Sequence, residues 1–170
     1  MVFTFFAPLV TGVTGFAAGA VAVLLLVYGI GAAAGNLAGG RLADRAPRRS
    51  QLGLLAALAA GLVVMWAVSG SMAATAVMVF AVGALGFAVI PGMQARVLAT
   101  AAAAPTLAMA VNASAYQLAA AFAGWLGGRV IDTGLGLPAL YLAGAAVTLA
   151  GLSLSAYAWH HAGTQPAPRP

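Results

Sequence analysis

Cysteine, lysine and glutamate are absent from this chain, and its only acids are Asp44 and Asp132. Each absence removes a class of chemistry. Without cysteine there is no disulfide framework, thiolate metal ligand or thiol nucleophile. Two aspartates, both placed at loops, cannot supply the paired carboxylates of general acid–base catalysis or a carboxylate-rich metal site. The scattered serines lack a partnering His and Asp, and no lysine follows the glycine runs as a phosphate loop requires. The chain therefore reads as a non-enzyme with no cofactor and no bound metal. Charge of either sign is scarce as well: 5% of residues are charged, where soluble domains carry about 25%.

Apolar residues fill the place of the missing charge, making up 64% of the 170 positions. Such a chain cannot cover a water-facing surface, so lipid is its expected solvent. Its net charge of +5 does not mark a nucleic-acid binder, because isolated arginines between apolar runs make no phosphate-tracking face. A helix needs about 20 apolar residues to cross a ~30 Å hydrocarbon layer. Five segments qualify, near 17–40, 51–69, 72–95, 105–128 and 137–159. Residues 2–10 are apolar but too short to cross alone, and read as the outer end of a helix whose beginning is missing. The expected organisation is an all-α, polytopic membrane bundle over 1–160, followed by a disordered cytoplasmic tail at 161–170.

Orientation follows from arginine in short loops. The segment 41–50 holds Arg41, Arg45, Arg48 and Arg49, which places it in the cytoplasm. Alternation then puts 70–71 outside, Arg96 inside, Arg129 with Asp132 outside, and the tail with Arg169 inside. Trp66, Trp125 and Tyr141 fall near outer ends, and Tyr157 and Trp159 near the last inner end, where amphipathic rings favour the interface. His160 and His161 follow directly and read as interfacial residues, since neighbours in sequence do not share a helix face.

Candidate functional residues are the polar and helix-bending ones inside these spans. Gly31, Gly35 and Gly39 recur every four residues on one face, which lets two helix backbones approach closely in lipid, and Gly83 and Gly86 fit the same role. Pro91 deletes a backbone hydrogen bond and predicts a bend. Phe80, Phe87, Pro91 and Gln94 lie on one stripe of that helix, which suits either ordinary packing or a cavity wall. Asn112, Ser114, Tyr116 and Gln117 form the most polar intramembrane cluster, with Tyr28 and Asn36 as further candidates. Such side chains either bond a neighbouring helix or line a substrate path.

The charged segment itself, Gly40-Arg41-Leu42-Ala43-Asp44-Arg45-Ala46-Pro47-Arg48-Arg49, resembles the G-x-L-A-D-R-x-G-R-R loop signature of the major facilitator superfamily. Pro47 stands where that family usually keeps glycine. LLLVYGIGAAAGNLAGGRLADR and VNASAYQLAAAFAGWLGGRVID are similar to the drug- and sugar-efflux branch, specifically the second six-helix half of arabinose-efflux-type permeases. The resemblance implies a C-terminal six-helix half with its first helix truncated. It further implies efflux of a small molecule by alternating access across the cell inner membrane, with proton antiport. It assigns Phe80, Phe87, Gln94, Asn112 and Tyr116 toward the cavity. It makes Gly40, Asp44, Arg45, Arg48 and Arg49 a gating latch, with Asp44 close to the start of the helix at Pro105. No carboxylate lies inside a span, so any proton-coupling group falls to the N-terminal half. The expected partners are the lipid bilayer, a small-molecule substrate, and an N-terminal half or a second copy. The competing reading is a non-transporting helical membrane module or an inactive remnant.

Overall fold

In the computed structural model, which describes residues 2–101 and 103–162, nearly every residue is helical. The helices are α1 (Phe6–Gly12), α2 (Ala20–Arg45), α3 (Pro47–Ala67), α4 (Met72–Thr100), α5 (Pro105–Asp132) and α6 (Ala139–Ala162). His161 and Ala162 belong to α6, and the rest of the expected tail, 163–170 with Arg169, lies outside the described residues.

Prolines set two of the helix starts. Pro47 and Pro105 begin α3 and α5, where the missing N–H would be unpaired in any case. The pyrrolidine ring also pushes the preceding residue out of the helical region. Ala46 accordingly sits at φ −152°, ψ 73° and Ala104 at φ −148°, ψ 63°. The stretch 41–50, expected as a loop, is instead the end of α2 and the start of α3, parted by Ala46 alone. Pro47 therefore starts a helix and does not stiffen an open turn. The Ser50 hydroxyl donates to the Leu42 carbonyl across this joint at 2.6 Å.

Among the described residues, α2, α3, α4 and α6 are long and apolar enough to cross a bilayer. The 28-residue α5 has the length, but its row of amide and hydroxyl side chains dilutes the apolar run. By composition, four of the five expected spans therefore qualify.

Packing divides these helices into two close pairs. In the first, Gly31, Gly35 and Gly39 of α2 lie against the backbone of Phe80, Ala84 and Ala88 of α4, so that a Cβ at any of the three would overlap a carbonyl oxygen. Gly83 reciprocates from α4, where a Cβ would stand 2.6 Å from the Tyr28 carbonyl oxygen. This small-residue seam is how two backbones come together in lipid, where dispersion drives association. Gly86 takes no part in it: a Cβ there would meet nothing within 4 Å. In the second pair α3 lies along α6, and α3 also packs on α4. By contrast α5 contacts α4 and α6 but buries only Gly127 fully, against which the Phe5 ring packs.

The core is gathered at one end. Leu9, Val10, Met65, Val79, Leu140 and Tyr141 are almost wholly shielded, and all lie toward the end of the bundle away from Arg41–Arg49. The arginine-bearing end is more open.

Candidate functional site

Between the helices, at mid-helix depth, lies a cavity of about 330 Å³, within the size range of small-molecule sites. Every helix from α2 to α6 contributes to its wall. Tyr28 comes from α2, Leu62 from α3, Val82 and Gly86 from α4, Phe122 from α5 and Thr148 from α6, while Phe3 closes it from the segment before α1. Among the described residues, the wall carries no charged side chain. Small residues make the space: Gly86, Ala119, Ala123 and Gly144 leave room where larger side chains would fill it. The Thr148 hydroxyl is spent on its own helix, donating to the Gly144 carbonyl at 2.8 Å. Tyr28 is the centre of an aromatic cluster. Its ring lies 5.3 Å from Phe3, 6.4 Å from Phe6 and 6.3 Å from Phe87, the last edge-on. These are the separations at which aromatic pairs attract. Such a site can hold an uncharged or amphipathic molecule by apolar contact and ring stacking, with Tyr28 as its polar handle.

Of the cavity residues expected from sequence, Tyr28 alone lines this space. Asn36 is exposed on α2, Phe80 and Phe87 are exposed on α4, Gln94 is half-buried, and Tyr116 and Gln117 are exposed on α5. Asn112 lines a separate, shallow groove of about 500 Å³ with Val97, Thr100 and Val111, opening outward between α4 and α5. The residues that sequence reasoning missed are Phe3, Phe122 and the small-residue wall. Phe3 carried an aromatic signal next to Tyr28 that only a contact could reveal, and alanine and glycine in a membrane helix carry almost none.

The signature segment is also rearranged relative to expectation. Asp44 does not face the start of α5, because α2 and α5 are not in contact. It instead lines a groove of about 290 Å³ with Ala43, Gly92, Arg96 and Trp159, since the short α2–α3 joint keeps it beside α4. Gly40 is half-buried near Pro91, whereas Arg45, Arg48 and Arg49 are exposed. The His161 ring packs at a tilt against Tyr157 one turn earlier, centroids 4.3 Å apart. Among the described residues, no three His, Asp or other ligating side chains gather as a metal site would need.

A bundle of lipid-length helices around an uncharged, small-molecule-sized cavity defines a multi-pass membrane protein. Comparison with known proteins narrows the class. The chain is 36% identical over 137 residues to the MFS-type transporter YtbD of Bacillus subtilis (strain 168), covering 78% of this chain and 35% of that protein. It is 34% identical over 152 residues to the inner membrane transport protein YdhP of Escherichia coli (strain K12), covering 89% of this chain and 39% of the relative. A chloramphenicol resistance protein of Streptomyces lividans shares 37% over 123 residues, 70% of this chain and 30% of its own length. No family model and no solved structure matches. The chain belongs to the major facilitator superfamily, and it spans about a third of the length of these relatives.

Proposed function

We propose that this chain builds the C-terminal half of a small-molecule exporter of the cytoplasmic membrane, working by alternating access. The observation that carries this reading is the uncharged aromatic cavity around Tyr28, inside a bundle whose relatives are transport proteins. The arginines of 41–49 set the orientation, with that end and the C-terminus in the cytoplasm. Because the described residues of the cavity wall carry no charge, the substrate class is neutral or amphipathic, which accords with a relative named for chloramphenicol resistance. Proton coupling, in this reading, belongs to an N-terminal half. The exposed Asn36, Tyr116 and Gln117 are the positions that would meet that half across the substrate path.

The test is flux into proteoliposomes holding this chain with and without an N-terminal half. Saturable transport of chloramphenicol or a similar neutral solute is expected only when both halves are present. Competition by dicarboxylates or polyamines alone would overturn the substrate class, and no flux in either preparation would favour the non-transporting module.

The latch role of the signature segment gives a second expected result. Asp44 shares its groove with Arg96, so removing its charge changes the balance that holds the arginine-bearing end. Asp44→Asn should change the transport rate by about fivefold or more, the low end of allosteric couplings, while membrane insertion is unchanged. Equal rates in mutant and parent would refute the latch.

A further inference from the structure

Helix α4 changes character at Pro91. Before it, Thr75, Val79, Val82, Gly83, Ala88 and Val89 are fully buried; after it, from Gly92 to Thr100, no residue is. Pro91 also withholds the N–H that would bond the Phe87 carbonyl and crowds that carbonyl with its ring. The helix is thus weakest where its packing ends. The segment beyond is nevertheless tied down. The Arg96 guanidinium lies 4.0 Å from the centroid of the Trp159 ring on α6. That indole donates its Nε1–H to the Gln51 side-chain oxygen on α3 at 3.3 Å, and Gln51 is only 8% exposed. The division of labour is chemical. An indole can donate but not accept, so the buried carboxamide oxygen fixes its plane, and the fixed ring face receives the cation.

We propose that Gln51, Trp159 and Arg96 form a releasable clamp on the part of α4 that follows Pro91. While Arg96 rests on Trp159, the segment Gly92–Thr100 is fastened to α3 and α6. When Arg96 lifts away, that segment swings about Pro91 as a unit and opens the groove over Ala43, against which Gly92 now lies. A cation–π contact at a half-exposed site is weak enough to open thermally, whereas the α2–α4 glycine seam above the proline is not. Trp159 and Gln51 are positioning residues in this device, and its operation needs no substrate.

The absence of native cysteine allows a direct test with single reporters. Ala43→Cys places a half-buried thiol beneath the swinging segment, and Val79→Cys places one in the core above the proline. Alkylation rates are measured on the full chain in lipid nanodiscs. Trp159→Leu is expected to speed alkylation at position 43 about three- to tenfold, the range a lost cation–π contact allows, while position 79 stays protected. Arg96→Lys, which retains a cation for the ring, holds the rate at 43 within about twofold of the parent. Gln51→Ala moves the rate in the same direction as Trp159→Leu. An unchanged rate at 43 in Trp159→Leu overturns the clamp. So does simultaneous reactivity at 43 and 79, which would make these residues general supports of the bundle.

Discussion

Replacing Gly35 with alanine is expected to destabilise the bundle by about 3 kcal/mol, the upper end for overpacking by a single group. The sign is the informative part. Glycine inside a helix costs roughly 0.5–1 kcal/mol relative to alanine, so Gly→Ala stabilises wherever there is room. At Gly35 there is none: the new Cβ would overlap the Ala84 carbonyl oxygen, and backbone cannot rotate aside as a side chain can. The helices must separate, and the neighbouring contacts at Gly31 and Gly39 loosen with them. Gly86→Ala is the matched control, since nothing lies within 4 Å of a Cβ there; it should be neutral or stabilising. Unfolding of both variants in mixed micelles by denaturing-detergent titration makes the comparison. Equal midpoints would mean that α2 and α4 are not in the register described.

The second large effect is expected at the same open glycine with a larger group. Gly86→Leu places an isobutyl side chain into the cavity, where no backbone opposes it. With the cavity as the proposed substrate site, binding and flux should fall at least about tenfold, equivalent to 1.4 kcal/mol, while the unfolding midpoint stays at or above that of the parent. Binding is read by tryptophan quenching or equilibrium dialysis in proteoliposomes, and flux in the two-half preparation. A folded Gly86→Leu protein with undiminished flux would remove this cavity from the path. The route would then run along the outward row of Asn36, Tyr116 and Gln117.

What could be read from sequence follows a physical boundary. Apolar run length depends on composition, so the helices of the bundle were legible before any contact was known. The four-residue glycine spacing announced a close approach, yet nothing in α2 names Phe80, Ala84 and Ala88 as the surfaces met. Pairing is a property of two helices at once. Gly83 and Gly86 look alike in sequence and differ in structure because three residues turn the helix far enough to put one on the seam and the other on the cavity. The site was the least legible. Polarity singled out Tyr28, which does line the cavity, but also Asn36, Asn112, Tyr116 and Gln117, which do not, whereas the room in it is left by alanines and glycines that carry no chemical signal. Expecting a loop at 41–50 was natural from its charge, but a proline at N1 lets one helix follow another almost without interruption.

That joint has a mechanical consequence. Two torsions at Ala46 set the angle between α2 and α3, and the Ser50–Leu42 bond locks the turns on either side to them, so the joint has very little freedom of its own. Arg45, Arg48 and Arg49 ride on those turns. In the orientation proposed above, any tilt of the joined α2–α3 unit would carry three guanidinium groups through the field of the anionic leaflet, each worth about 1 kcal/mol near the surface. The membrane's own charge would then resist movement of the two helices as one lever, and the anionic lipid fraction would set how readily that lever tilts.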